Sequence, residues 1–162
     1  MNIFSSDSSP WLSAQALDDK RVRKMLLETA QILCTVLNSR GHQTPYKNSH
    51  AGNAITLWAA ADDRNLYWLL QHGVALSLEY DYRWPDRTHK SQAVIEQIIP
   101  LIKRKRRDPD HFVNRASHSK LGLDFTHLPT HQAYRQYLSA RWKGDKRAPI
   151  WTKRGAPSWR SE

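Results

Sequence analysis

The helical organisation of this chain is clearest in the stretch DDKRVRKMLLETAQIL, residues 18–33. Apolar side chains recur there at intervals of three or four residues, as at Val22, Met25, Leu26 and Leu33. That periodicity is typical of an amphipathic helix that buries one face against a core. The stretch therefore predicts a long helix as the centre of the fold.

The opposite side of this predicted helix carries a polar stripe. Lys20, Lys24, Glu28 and Gln31 follow one another at intervals of three or four residues, so they lie on one helix face. Two cations near a helix start oppose the macrodipole, which favours anions there, and this indicates an anion bound between them. Glu28, one turn further along, is placed to act as a general base toward an amine or water. An ordinary surface helix with Lys24 and Glu28 as an ion pair explains the same pattern.

Periodicity and capping signals predict the remaining helices. They give a short helix over 10–17, the long helix to about residue 38, and helices over about 50–60, 63–84, 89–102 and 130–142, with Ser49, Asp62, Thr88 and Thr130 as expected N-caps. Gly73, inside one of them, indicates close packing at that point because glycine otherwise weakens a helix.

No segment alternates cleanly enough to predict a strand, and residues 108–128 predict a long loop of functional or mobile character. The expected fold is all-α, a single compact domain of about five helices with irregular basic arms. We expect residues 1–142 to form the helical core and residues 143–162 a basic, aromatic C-terminal arm.

Composition limits the partners and the compartment. The chain has 162 residues and a net charge of +10, which on a compact domain points to a polyanion, most often nucleic acid. The single cysteine, Cys34, makes neither an intrachain disulfide nor a Cys-rich metal site, which suits a reducing compartment. With no leader pattern and no membrane-length apolar stretch, we expect a cytoplasmic protein without a membrane partner.

Familiar catalytic signatures are missing from the sequence. There is no phosphate-binding glycine loop, dinucleotide fingerprint, paired-His zinc helix or Ser nucleophile elbow. Because carboxylates are not clustered either, we expect neither a metal nor a cofactor. Any catalysis must then use scattered acid, base and cation groups.

Two further groups could bind anions. His50 and Asn53 fall at the start of the predicted helix 50–60, where backbone N–H groups attract anions; the alternative is a surface or capping role. Arg83, His89 and Lys90 flank the turn at Pro85 and could bracket a phosphate. The alternative for these three is that they complement the carbonyl groups at a helix end.

Basic residues with interleaved aromatics suggest a DNA-binding surface, since cations track phosphates and aromatic rings stack on bases or wedge between them. The candidates are Lys103, Arg104, Lys105, Arg106 and Arg107 in one run, and Arg135, Trp142, Trp151, Lys153, Arg154 and Trp159 toward the C-terminus. The alternatives are a solubilising tail and, for the run, a nuclear localisation pattern.

Single residues at fixed spacings connect these segments. They are Asn2-Ile3-Phe4, Asp19-Lys20, Lys24-Met25, Glu28-Thr29-Ala30-Gln31, Tyr46-Lys47, His50, Trp58, Asn65, Trp68, His89-Lys90, Tyr134-Arg135, Tyr137, Trp151, Pro157 and Trp159. Across nearly the whole chain they resemble a family of small phage proteins, the amino acid:DNA transferases of thymine hypermodification. In that family an Asn-His-Pro triplet follows the position of His50, whereas this chain has Gly52-Asn53-Ala54, so a second site histidine is not expected.

The resemblance implies an activity and roles for the candidate residues. Such enzymes act on double-stranded DNA whose 5-hydroxymethyluracil has been converted to a pyrophosphomethyl form. The nitrogen of a free amino acid, such as glycine or serine, displaces pyrophosphate and leaves a hypermodified thymine that shields phage DNA from host nucleases. On this basis we assign Glu28, His50 and Asp19 as catalytic, and Lys20, Lys24, Gln31, Asn53, Arg83, His89 and Lys90 as substrate-binding. Phage DNA as the substrate implies the host cytoplasm.

Two other functions stay open. A small helical DNA glycosylase/lyase, resembling the pyrimidine-dimer enzymes, would attack through an N-terminal α-amino group. That mechanism requires removal of Met1, which the large side chain of Asn2 disfavours. A non-catalytic DNA-binding protein is the third possibility.

Overall fold

The computed structural model describes residues 1–160 and confirms that the chain is mainly helical. The six α-helices of this part are α1 (Pro10–Gln15), α2 (Asp19–Ser39), α3 (Ala54–Ala61), α4 (Asp63–Arg83), α5 (Lys90–Ile98) and α6 (Thr130–Gly144). Single 3₁₀ turns follow at Ile99–Leu101 and Ser119–Leu121. A small antiparallel pair, β1 (Ser117–His118) and β2 (Leu123–Asp124), lies in the stretch that we expected to be loop.

The predicted apolar stripe of α2 is buried, as expected. Val22, Met25, Leu26 and Leu33 are each at most 1% exposed. Helix α2 packs against α3, α4 and α5, and α4 also packs against α1. The two 21-residue helices α2 and α4 therefore supply the centre of the core, and one face of α2 is left for other segments to cover.

The close packing expected at Gly73 is confirmed. A Cβ atom at Gly73 would lie 2.8 Å from Cδ1 of Ile95 and 3.2 Å from Cγ2 of Thr29. Both distances are shorter than ordinary van der Waals contact. Helices α2 and α5 therefore pack closely against α4 at Gly73, where α4 has no side chain.

Three predicted helix starts are displaced. The side chain of Asn53, not Ser49, caps α3 by accepting the N–H of Ile55 at 2.9 Å. His89, not Thr88, caps α5 and accepts the N–H of Ser91 at 3.2 Å. At α6 the N-cap is Pro129, and Thr130 is the first helical residue. At α3 and α5 more than one polar residue precedes the helix, and the fold selects Asn53 and His89 as caps, whereas α6 begins without a side-chain cap.

The segment after α6 folds back on the helices instead of extending as an arm. The indole N–H of Trp151 donates to the carbonyl of Ala16 at 3.0 Å, and the N–H of Asp19 donates to the carbonyl of Ile150 at 2.8 Å. Trp142 and Trp151 are only 3% and 8% exposed. This segment therefore helps to bury the start of α2.

Candidate functional site

A cavity of about 290 Å³ lies beside the N-terminal half of α2. Helix α2 contributes Lys20, Arg21, Met25, Lys24 and Glu28 to its wall, and other segments contribute Met1, Asn2, Phe4, His118, Tyr137 and Arg141. Three members of the predicted stripe, Lys20, Lys24 and Glu28, therefore line one partly open cavity. We call it the Glu28 cavity.

Glu28 is held in this wall by two partners. Its Oε2 accepts the backbone N–H of Asn2 at 2.8 Å, and its Oε1 lies 3.5 Å from Nζ of Lys24. The Glu28 side chain is 13% exposed, whereas that of Lys24 is 66% exposed. A fixed donor thus orients the carboxylate while a solvated cation balances its charge, a geometry that suits a general base.

The cations of the cavity differ in their exposure and in whether they pair with carboxylates of the protein. Arg21 is buried and pairs with Asp18 at 2.8 Å and Asp145 at 2.9 Å, which makes it structural. Lys20 is exposed and lies 3.6 Å from the same Asp145. Arg141 is half-buried and forms no ion pair with the carboxylates of residues 1–160. Arg141 is therefore the cation of the cavity without a carboxylate partner among residues 1–160 that an anionic ligand could bind, and the two exposed lysines lie beside it.

Three side chains of the cavity come from the C-terminal part of the chain, and none of them is predicted from the sequence to take part in the site: His118, Tyr137 and Arg141. His118 comes from β1, and its Nδ1 is buried without a hydrogen-bond partner among the described residues. Tyr137 of α6 stacks on Phe4, with the ring centroids 5.9 Å apart. Arg141 appears in the sequence only as one of many C-terminal cations. No local signal marks these residues, since each of them follows Glu28 by 90 positions or more in the chain.

The remaining stripe and the His50 group lie outside the cavity. Gln31 is half-buried one turn beyond Glu28 and does not line it. The residue before His50, Ser49, binds Thr35, which follows Glu28 by seven residues or about 10 Å of helix. His50 is exposed in a left-handed conformation (φ 53°), and Asn53 is used as a cap. The structure therefore separates these two residues from Glu28.

Arg83 and Asp19 belong to a buried ion-pair network, which we call the Arg83 network. Arg83 donates to Glu79 at 2.8 Å and to Asp19 at 2.9 Å, and its side chain is 0% exposed. Asp19 also accepts the N–H and hydroxyl of Thr152 at 3.0 and 2.6 Å. Arg154 donates to Glu79 at 2.5 Å. These contacts fix the C-terminal segment to α2 and α4, so the catalytic and substrate-binding roles expected for Asp19 and Arg83 do not fit their surroundings.

His89 and Lys90 also lie away from the Glu28 cavity. The ring of His89 meets Tyr80 edge-on with centroids 5.3 Å apart, and burial lowers the pKa of His89 and favours its neutral form. Lys90 is exposed at the first position of α5. The cap, rather than a phosphate, accounts for the position of the imidazole.

The aromatic candidates for DNA stacking are largely internal. Trp142 donates its indole N–H to Asp18 at 2.8 Å, packs edge-on against Trp151 at 5.0 Å and stacks on Trp159 at 5.6 Å. Only Trp159 of the three is half-exposed, and the guanidinium of Arg135 lies 6.0 Å from its ring. The rings of Trp142 and Trp151 are therefore not available to a nucleic acid base.

The basic candidates are more open. Lys103, Arg104, Arg106, Arg107 and Lys153 are exposed. Two other members form ion pairs within the protein, Lys105 with Asp63 at 3.1 Å and Arg135 with Asp7 at 2.9 Å, and Arg154 belongs to the Arg83 network.

No group of three His, Cys, Asp or Glu side chains within residues 1–160 is arranged to hold a metal ion. No helix in the same part of the chain has the length and apolar character needed to cross a bilayer. Comparisons with protein-family models, with curated proteins and with solved structures find no match.

Proposed function

We propose that the protein is a DNA-modifying transferase in which the amino group of an amino acid displaces pyrophosphate from pyrophosphomethyluracil in DNA. The observation that supports this proposal is the Glu28 cavity, in which one oriented carboxylate lines the same space of about 290 Å³ as Lys20, Lys24 and Arg141. The resemblance of the spaced residues along the chain supplies the reaction class.

The reaction assigns a task to each kind of group. The amino nitrogen attacks the methylene carbon attached to the uracil ring, the carbon–oxygen bond breaks, and pyrophosphate leaves with the bonding electron pair. Glu28 takes the proton that the amine must lose, because only a neutral amine is a nucleophile. Lys20 and Lys24 stabilise the charge that develops on the leaving group, as fixed or nearby cations do in a partly enclosed site.

Arg141 suits the carboxylate of the amino acid. A guanidinium binds a carboxylate through two parallel hydrogen bonds, which orients the ligand as well as holding it. The cavity lies near the lower limit of ordinary ligand pockets, which favours a small amino acid such as glycine or serine.

The test is to incubate the protein with duplex DNA containing pyrophosphomethyluracil and a panel of amino acids, then to digest the DNA and analyse nucleosides by mass spectrometry. We expect a new aminoacyl nucleoside with the wild type and at least about 100-fold less with Glu28→Gln, since a general base contributes 10² or more. Glu96→Gln, on the exposed side of α5, is the matched control and keeps full activity. No new nucleoside with any amino acid contradicts the proposal.

A DNA glycosylase/lyase is the second candidate, and one contact favours it. The backbone nitrogen of Asn2 lies 2.8 Å from Glu28. After loss of Met1 that nitrogen becomes a primary amine beside a carboxylate, able to attack C1′ of a deoxyribose and release the base, with an imine as the covalent intermediate. Borohydride reduction of a reaction with dimer-containing DNA would trap a protein–DNA adduct, and the intact mass would show a chain lacking Met1.

A DNA-binding protein without activity gives a third pattern in the same assays. It predicts unchanged DNA affinity in Glu28→Gln, no new nucleoside and no trapped adduct.

A further inference from the structure

A short basic segment is fixed against Lys20 and Arg21, two residues of the wall of the Glu28 cavity. Helix α6 ends at Gly144, and the next residue, Asp145, lies 3.6 Å from Lys20 and 2.9 Å from Arg21. A few residues further on, the carbonyl of Ile150 accepts the N–H of Asp19 at 2.8 Å. The chain between these two anchors therefore runs along the start of α2.

The outward side of this segment is positive. Lys143, Lys146 and Arg147 are all exposed, and none of them pairs with a carboxylate of residues 1–160. The neighbouring acid, Asp145, has an 11% exposed side chain and is used by Lys20 and Arg21. The carboxylate of Asp145 is thus paired with α2 and does not neutralise the three exposed cations of the segment.

The segment is also anchored, unlike a solubilising tail. Before it, Trp142 is buried and bonded to Asp18, and after it, Trp151 is buried and bonded to Ala16. Cations on an anchored backbone lose less conformational entropy when they bind a ligand than cations on a free tail. Preorganisation of this kind is expected of a binding surface.

We propose that Lys143, Lys146 and Arg147, which we call the α6 ledge, bind the phosphates of duplex DNA and hold it across the mouth of the Glu28 cavity. This inference rests on the proposed function for the identity of the polyanion. The four residue steps from Lys143 to Arg147 span less than about 14 Å, because Lys143 and Gly144 are still helical and only the rest of the ledge can extend. One strand of duplex DNA presents a phosphate every 3.4 Å of axis, so no more than about four phosphates of one strand lie along the ledge.

The run 103–107, which the sequence also predicts to bind DNA, is the competing surface, and it offers a matched comparison because it carries similar exposed charge elsewhere. Lys105 pairs with Asp63, which also pairs with Arg40 at the end of α2. Arg40 follows Glu28 by twelve residues, about 18 Å along the helix. Three cations can therefore be removed from either surface with the same change in net charge.

The experiment measures the affinity of the full chain for an unmodified duplex oligonucleotide by fluorescence anisotropy at several salt concentrations. Each phosphate contact contributes about −0.9 to the slope of log affinity against log salt. We expect Lys143→Ala/Lys146→Ala/Arg147→Ala to reduce the magnitude of that slope by about 2 to 3 and to weaken binding at least tenfold near physiological salt. Lys103→Ala/Arg104→Ala/Arg106→Ala should change the slope by less than about 1.

A wild-type slope in the ledge variant, a larger loss in the 103–107 variant, or no DNA binding by the wild type each overturns the inference. All of the substituted residues are exposed, and circular dichroism checks that the variants are folded. The nucleoside assay separates the two proposals. Product formation with an unaltered slope in the ledge variant refutes the ledge alone, whereas a slope of reduced magnitude without any product refutes the transferase alone.

Discussion

Substitution of Arg83 by methionine distinguishes a substrate-binding residue from a structural one. The guanidinium is fully buried and donates to Glu79, to Asp19 and to the carbonyl of Gln15 at 3.3 Å. Methionine fills much of the volume but leaves both carboxylates without this donor. The structure therefore predicts a loss of stability rather than a specific loss of ligand binding.

The size of the loss follows from what remains around the two carboxylates. Removal of one partner from a buried ion pair costs about 3–5 kcal/mol. Glu79 keeps Arg154, and Asp19 keeps both donors of Thr152, so we expect the lower limit, about 3 kcal/mol. A domain of ordinary stability, about 5–15 kcal/mol, remains folded after such a loss.

Urea unfolding followed by circular dichroism measures the effect. With an m value of about 2 kcal/mol/M, the midpoint of Arg83→Met should fall by about 1.5 M. Arg87→Met, at an exposed position four residues further on, is the control and should stay within about 0.5 kcal/mol of the wild type. A wild-type midpoint for Arg83→Met, above all with product formation lost, would refute the structural role.

Three further predictions concern the core. Gly73→Ala should destabilise the protein by about 1 kcal/mol in urea unfolding, because the new methyl group would lie 2.8 Å from Cδ1 of Ile95. Overpacking costs about 1–3 kcal/mol, which outweighs the gain of about 1 kcal/mol in helix propensity. A gain in stability contradicts this prediction. Trp142→Phe should cost about 2 kcal/mol of stability in the same assay, since the buried carboxylate of Asp18 loses a hydrogen-bond donor. The substitution should leave the salt dependence of DNA binding unchanged, and a weaker salt dependence would indicate that Trp142 contacts DNA. Burial lowers the pKa of His72 to about 4, below the unfolded value of about 6.5, so the unfolded state binds more protons between these two pH values. The free energy of unfolding should therefore fall by up to about 3 kcal/mol from pH 6.5 to pH 4. His72→Gln should remove this part of the pH dependence, and an unchanged pH profile in the variant contradicts the assignment.

The helices could be predicted because their signals are local. The interval of three or four residues between Val22, Met25 and Leu26 depends only on helix geometry, and all three are buried as that interval requires. Gly73 is similar, since a glycine in the middle of a strong helix has few explanations besides close packing. The N-caps could not be placed because Ser49 and Asn53 are both good caps, and only the fold decides between them.

The fate of the C-terminal tryptophans could not be predicted from composition. Tryptophans interleaved with cations are typical of nucleic acid binding, but the same pattern also occurs in a segment that packs its indoles inward and leaves its cations in water. The partners that decide between these cases, Asp18 for Trp142 and Ala16 for Trp151, are more than 120 residues away in the chain. The burial of the rings could not be predicted because their partners are distant in the chain. The exposure of Lys143 and Lys146 could be predicted, since lysine side chains normally stay in water.

The lysines of the polar stripe on α2 have partners within the protein that could not be predicted from the sequence. Two lysines near the start of a helix indicated a bound anion, yet the chain itself provides one for each: Asp145 lies 3.6 Å from Lys20, and Glu28 lies 3.5 Å from Lys24. An external anion is therefore not needed to explain either lysine. Arg141 differs, because α6 brings it half-buried into the same cavity and it forms no ion pair with the carboxylates of residues 1–160. A cation that is partly removed from water and has no carboxylate partner gains more from a bound anion than two exposed lysines that already have one, so Arg141 is the group whose position an anionic ligand would best explain.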